Sequence, residues 1–278
     1  LFDTITKLAH DFVGSNNIPL LYRDGQFGSR IQGGKDAANA RYIFTKVDAL
    51  TRLLFRQEDD VLLERVMDDG DAVEPVQYIP ILPMVLVNGV IGGIGTGWSC
   101  QIPAYNPIDL VKCVETWLDA KSVGDDELKI DWPEIQPWYR GFNGTIEKVN
   151  DTKYITKGVI QKKKVGRSTN STCVITELPI SVWTDKFKES IEELVENKDI
   201  KGYRNYSTDV NIQFELDEHK DGMSCTIENL KLFSYLNTSN MVLFSAKGMI
   251  KKYSNVYDIL EEFCDVRYAY YIKRKAHQ

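Results

Sequence analysis

Cysteine and histidine are scarce and scattered. Five cysteines, at 100, 113, 173, 225 and 264, form no C-x-x-C pair, and the three histidines at 10, 219 and 277 are as far apart. That spacing excludes a local zinc motif and a disulfide scaffold, and it points to buried structural thiols in a reducing compartment. Long apolar runs are also missing. The longest stretch, 79–90, is broken by Pro80, Pro83, Asn88 and Gly89, short of the roughly 18–20 residues a membrane helix needs, so no membrane span is expected. There is no excess of positive charge: 34 Lys and Arg against 40 Asp and Glu leave a net charge of −6. This argues against a protein that grips nucleic acid over its whole surface, though not against a local basic groove. Residues 1–14 carry Asp3, Lys7, His10 and Asp11, so they are no signal peptide. The chain opens without Met on a helix-like pattern, which reads as an internal piece of something longer. No internal repeat, Ser/His/Asp set, spaced carboxylate pair or metal-ligand cluster is visible.

What is present is an uneven chain with enough hydrophobic residues, 43%, to build a core. Residues 22–56 hold seven basic residues and three acids, whereas 57–75 hold eight acids and only Arg65. The sign change reads as a DNA-facing segment followed by a solvated one. Periodicity and punctuation predict helices over 1–13, one or two over 36–55, and a short one over 61–66. Strand-like texture runs from 76 to 98. Helix 107–118 has Asn106 as its N-cap and Pro107 at its first position. The 141–214 stretch reads as mostly strands, 183–196 as an amphipathic helix and 241–250 as a hairpin. Residues 256–276 read as a helix with no stop signal.

Several motifs carry chemistry. Gly28-Ser-Arg-Ile-Gln-Gly-Gly-Lys-Asp36 resembles a phosphate-binding loop but fails that pattern. Gly34 separates Gly33 from Lys35, and Asp36 stands where a hydroxyl would hold Mg²⁺. A nucleoside triphosphatase is thereby disfavoured. The loop still suits a polyanion through backbone N–H groups, Arg30 and Lys35, its alternative being a plain solvated turn. Gly89-Val-Ile-Gly-Gly-Ile-Gly-Thr-Gly97 lacks dinucleotide spacing and reads as a tight hairpin or bulge. It places Ile94 between glycines, as an aliphatic wedge that kinks a duplex would be placed. Arg41-Tyr42 follows the basic loop. A phenol is a weak nucleophile at neutral pH, and an adjacent guanidinium stabilises phenolate or a pentacovalent phosphate. A basic run, with Lys157, Lys162, Lys163, Lys164 and Arg167, reads either as a solvated turn or as phosphate contacts to bent DNA.

Together these strings resemble the cleavage region of eukaryotic-type DNA topoisomerase II. The resemblance rests on Phe12-Val-Gly-Ser-Asn-Asn17, Gly25-Gln-Phe-Gly28, Gly33-Gly-Lys-Asp-Ala37, Arg41-Tyr42 and Val73-Glu-Pro75. Further on it rests on Ile79-Pro-Ile-Leu-Pro-Met-Val-Leu-Val-Asn-Gly89, Gly93-Ile-Gly-Thr-Gly-Trp-Ser99, Ile175-Thr-Glu-Leu-Pro179, Trp183-Thr184, Met241-Val-Leu-Phe244 and Lys251-Lys-Tyr253. It implies an α+β architecture: the rear of a winged-helix domain at 1–75, a mainly β tower at 76–253, and the start of a coiled coil at 254–278. It implies an ATP-dependent enzyme that cleaves and reseals both strands of double-stranded DNA so that a second duplex passes.

On that resemblance Tyr42 is the nucleophile that forms a 5′-phosphotyrosyl link and Arg41 the transition-state stabiliser. Ile94 is the intercalating wedge, with Ile91 the alternative because 90–93 is one residue longer than the family's turn. Arg30 and Lys35 are backbone contacts. Mg²⁺ and ATP bind outside this segment, and the family's histidine falls before residue 1. The partner is a second copy of the chain, in a homodimer with shared active sites. The setting is the nucleus for a cellular source, and host cytoplasm or virion for a viral one. The competing reading is a catalytically idle winged-helix scaffold that binds and bends DNA.

Overall fold

Alternating β-branched and polar residues between 145 and 237 build two antiparallel sheets in a computed structural model that describes residues 1–95, 97–122, 129–164, 171–219 and 222–278. The chain divides into two units, each discontinuous in sequence. One comprises Leu1–Thr45 and Pro137–Asn237, the other Lys46–Gln136 and Thr238–Gln278.

In the first unit, a four-stranded sheet runs in the order Ile200–Asn205, Phe214–Glu218, Ser171–Glu177, Val159–Lys164. Helix Thr184–Glu196 lays Phe187 and Ile191 on it, one turn apart, and the Phe187 ring meets Phe214 edge-on at 5.2 Å. Ile175, Leu178, Ile200, Leu216 and Leu232 complete a core that excludes water. A second sheet pairs Phe233–Asn237, Lys153–Lys157 and Thr145–Asn150. Helix Phe2–Ala9 opens the unit. Strand Leu21–Asp24 pairs with Phe44–Val47, whose last two residues begin the second unit.

Two sequence expectations fail here. Residues 36–55 form a three-residue 3₁₀ turn (Ala40–Tyr42), that strand, and only then helix Ala49–Leu54. The favourable alanines at 37, 38 and 40 are overridden by ribbon pairing, as tertiary context commonly overrides propensity. The expected helix over 61–66 is the end of a 3₁₀ segment (Gln57–Leu62) followed by hairpin Arg65–Asp68/Asp71–Pro75. Asp69 and Gly70 both have positive φ, 47° and 92°, the two-residue turn that an Asp-Gly pair favours.

The second unit also contains hairpins Val90–Gly95/Trp98–Ile102 and Met241–Phe244/Ile250–Tyr253, linked by Gln101 N–H donating to the Asn240 carbonyl at 2.9 Å. Helix Pro107–Ser122 starts as expected, with Asn106 Oδ1 accepting from Ile108 N–H at 2.9 Å. It buries Leu110, Cys113 and Trp117, and Trp117 meets Tyr268 of helix Val256–His277 at 5.7 Å. The same long helix buries Arg267, which donates to Asp59 at 2.7 Å. All five cysteines are free thiols. Burial pushes Cys113 up to about 11 and Cys264 up to about 12, so both stay protonated as packing groups. Among the described residues no helix is long and apolar enough to cross a membrane.

Candidate functional site

Tyr42 closes the 3₁₀ turn that leads into the outer strand of the ribbon. Asn39 shapes that turn: its carbonyl accepts from Tyr42 N–H at 2.9 Å and its side chain accepts from Arg41 N–H at 3.3 Å. Upstream, Ala38 N–H is held by the Gln26 carbonyl at 2.9 Å. Downstream, Thr45 Oγ1 donates to the Tyr22 carbonyl at 2.6 Å. The backbone on both sides of Tyr42 is therefore tied, while the side chain is not: it is 66% exposed. The Arg41 guanidinium lies 4.9 Å from the centre of the Tyr42 ring, a cation–π contact that keeps the charge beside the phenol. Among the described residues no side chain bonds the Tyr42 hydroxyl. An exposed phenol on a fixed turn with a cation at its face is suited to attack an external electrophile.

The glycine-rich loop before it is different from its sequence expectation. Arg30 is only 3% exposed, and its guanidinium is held by Glu177 and by the Leu178 carbonyl at 3.0 Å. The expected phosphate contact by Arg30 is therefore corrected, since its charge is already met inside the unit. The loop's amides are spent too. Ser29 N–H and Oγ donate to Asp36 at 2.9 and 2.5 Å, Ile31 N–H to Ser29 Oγ at 3.1 Å, and Gly34 N–H to the Ser29 carbonyl at 3.0 Å. The carbonyls of Arg30 and Ile31 accept from Thr184 and Asp185 at 3.4 and 3.0 Å, capping helix Thr184–Glu196 from outside. Gly33 and Gly34 serve this docking: a Cβ at Gly33 would fall within the Trp183 indole and one at Gly34 within the His10 ring. The loop is thus a packed brace, with the Ser29, Ile31 and Gly34 N–H groups already bonded within it. Lys35 is exposed, as a backbone contact requires.

His10 packs against that brace with Nε2 buried and unpartnered. Burial is the main cause of a pKa below its ordinary value, with Lys7 and Arg23 adding to the effect and the Phe27 backbone and Asp36 opposing it. The unfolded chain therefore binds the proton more readily. His10 contributes stability in full above about pH 6.5, and that contribution is lost as pH falls through the lower folded value. His10→Gln is expected to flatten the fall in the urea midpoint between about pH 7.5 and about pH 5. An unchanged fall would assign the acid sensitivity to other groups.

Within the second unit, Ile94 sits one pair from the hairpin end, opposite Ser99, and is 89% exposed. The register between Val90 and Gly93 shifts by a bulge that accommodates one extra residue, with Gly92 at φ 65°. Ile91, 48% exposed, lies in that bulge. Around Ile94, the side chains of Trp98, Leu243, Phe244 and Ile250 line a concavity of about 480 Å³. Thr96 falls outside the described residues.

Two residues of the basic run are paired, Lys157 with Glu147 at 2.6 Å and Lys162 with Glu218 at 2.9 Å, while Lys163 is exposed. The Lys164 side chain and Arg167 lie outside the described residues. For metals, one group of three His, Cys, Asp or Glu side chains converges among the described residues: Cys173, Glu218 and Cys225. The sequence spacing did not reveal it, because the sheet joins residues far apart in the chain.

Comparison with known proteins gives one consistent result. The DNA gyrase/topoisomerase IV A-subunit family matches residues 1–278. The DNA topoisomerase 2 of Invertebrate iridescent virus 6 is 42% identical over 277 residues, covering 100% of this chain and 23% of that protein. The Saccharomyces cerevisiae DNA topoisomerase 2 is 43% identical over 286 residues, covering 100% of this chain and 19% of that protein. A crystal structure of the Plasmodium falciparum topoisomerase II DNA-binding, cleavage and re-ligation domain superposes with a TM-score of 0.86 at 39% identity, covering 99% of this chain and 37% of that one. The chain spans about a fifth of the length of these two curated relatives.

Proposed function

We infer the function from one premise: this chain belongs to the DNA gyrase/topoisomerase IV A-subunit family. On this reading it is the strand-cleaving part of a type II DNA topoisomerase acting on double-stranded DNA as a homodimer. Ribbon Leu21–Asp24/Phe44–Val47 then belongs to a winged helix, the 145–237 sheets to a tower, and Val256–His277 to the start of a coiled coil. The carrying observation is the exposed Tyr42 ring on a tied backbone, with the Arg41 guanidinium 4.9 Å from its centre.

The chemistry is transesterification. Tyr42 Oη attacks a backbone phosphorus, its proton passes to an acceptor, and the bond from phosphorus to the 3′ oxygen breaks. The 3′ oxygen leaves as a hydroxyl and the 5′ phosphate stays on the tyrosine. One phosphoester replaces another, so resealing needs no added fuel. On this reading the Arg41 guanidinium donates charge-assisted hydrogen bonds to the non-bridging oxygens as negative charge builds.

Mg²⁺ prefers an oxygen-donor set, and the only converging triad among the described residues is rich in thiols. In the brace loop Ser29 N–H and Oγ are already bonded to the Asp36 carboxylate, whose charge would repel a nucleotide phosphate. On this reading Mg²⁺ and ATP are held by other parts of the full-length enzyme. The test is denaturant trapping. Full-length protein and end-labelled duplex, quenched with detergent, should yield protein attached to DNA 5′ ends. Bound duplex with no adduct would favour the scaffold reading instead.

Ile94 is proposed as the wedge. Unstacking a base step costs a few kcal/mol, which an inserted aliphatic side chain helps offset. Ile94→Ala should reduce the duplex bend read by energy transfer between end labels, whereas Ile91→Ala should leave it unchanged. The opposite pattern would reassign the wedge to Ile91.

A further inference from the structure

We propose that Cys173, Glu218 and Cys225 form a site for a thiophilic divalent cation, Zn²⁺ in the first instance. Their ligand atoms all lie within 4.8 Å of one another. The three come from different parts of the first unit. Cys173 lies on strand Ser171–Glu177, paired to Leu216 on the neighbouring strand, and Glu218 ends that neighbour, Phe214–Glu218. Cys225 lies on the segment that follows.

One ligand separation already matches tetrahedral coordination. The Cys173 Sγ to Glu218 Oε1 distance is 3.5 Å. Zinc bonds of about 2.3 Å to sulfur and about 2.0 Å to oxygen, opened to a tetrahedral angle, separate S and O by about 3.5 Å. Glu218 Oε1 is held in place by Cys225 N–H at 2.8 Å, the outer-shell hydrogen bonding that fixes ligating carboxylates.

Charge also fits. Two thiolates and a carboxylate carry three negative charges, so a dication leaves one over. The Lys162 ammonium, 2.9 Å from Glu218, is placed to balance it. Both cysteines are buried, whereas the Lys162 side chain is 51% exposed and that of Glu218 15%, giving an entry path from the lysine side. Water completes the coordination. Binding releases both thiol protons to solvent and forms two metal–sulfur bonds and one metal–oxygen bond, with no change of oxidation state. Soft thiolate ligands select zinc over magnesium, so this site is independent of any Mg²⁺ requirement of DNA cleavage. The cation would pin the segment carrying Cys225 to the two central strands of the four-stranded sheet.

The experiment is a Co²⁺ titration of the reduced protein followed by Zn²⁺ displacement. One equivalent per chain should produce an intense sulfur-to-cobalt charge-transfer band with tetrahedral d–d bands. Zn²⁺ should then erase both and raise the melting temperature. Cys173→Ser and Cys225→Ser should each weaken binding by about 100-fold or more and diminish the charge-transfer band. Glu218→Gln, which keeps an acceptor for Cys225 N–H, should retain the band and weaken binding by about 10-fold. Wild-type protein that shows no charge-transfer band, or only the faint octahedral spectrum, overturns the site whether or not the cysteine variants fold. So does a band of full intensity in both serine variants.

Discussion

Tyr42→Phe is expected to abolish covalent capture of DNA while leaving duplex affinity within about twofold. The substitution removes one exposed hydroxyl that no described residue bonds, so its folding cost should stay within about 0.5 kcal/mol. The ring remains in its turn beneath Arg41, and every group placed to meet a phosphate is unchanged. What disappears is the only atom on this reading that forms the new bond to phosphorus. Losing a nucleophile costs on the order of 10⁴-fold or more, because the remaining groups stabilise a transition state that can no longer form. Arg41→Ala supplies the contrast. It keeps the nucleophile and removes one stabilising cation, so adduct should still appear, about 10²–10³-fold more slowly. Detergent-trapped adduct at DNA 5′ ends, followed with time, separates the two. Adduct at the wild-type rate in Tyr42→Phe would remove Tyr42 from the mechanism. Adduct in neither variant nor wild type, with duplex still bound, would leave a bending scaffold as the better account.

The comparison of sequence with structure separates what is local from what is not. Helix Pro107–Ser122 was legible because its cap, Asn106, and its first-turn proline are neighbours in the chain. Helix Thr184–Glu196 was legible because its apolar residues recur at helical spacing. The contact between the Tyr42 ring and the Arg41 guanidinium was legible because the two residues are adjacent. The brace loop was not: glycine and arginine at 28–36 look alike whether they await a phosphate or a protein partner. The residues that decide the matter, Glu177, Leu178 and Trp183, lie about 150 positions away. The same limit hid the thiol cluster, since Cys173 and Cys225 meet only once the sheet register is set. The Asp69-Gly70 turn was a local signal that the surrounding acidic residues obscured, and the helical reading of 36–55 weighted alanine above ribbon pairing.

Arg30 provides the second large effect, one that distinguishes the brace from a phosphate cradle. The Glu177 carboxylate is 1% exposed and accepts from Asn143 N–H at 3.0 Å and Leu178 N–H at 2.9 Å, with the Arg30 guanidinium as its charge partner. Arg30→Ala leaves that carboxylate buried without a counter-charge and frees the Leu178 carbonyl. Breaking a buried pair on one side costs about 3–5 kcal/mol, and the two remaining N–H donors place the expected value toward the lower end. Because the loop carbonyls cap helix Thr184–Glu196, the loss should appear as a lower urea midpoint. Lys35→Ala, at an exposed position, should do the reverse. Its midpoint should stay within about 0.5 kcal/mol of wild type, while the slope of log affinity against log salt should fall by about one, the signature of a lost phosphate contact. The paired measurement is decisive because the two roles move different observables. If Arg30→Ala leaves the urea midpoint in place and lowers the salt slope, its guanidinium contacts DNA and the brace is wrongly assigned. If the midpoint falls and the slope of the folded protein holds, the arginine braces the loop from within and Lys35 is the one that faces the phosphates.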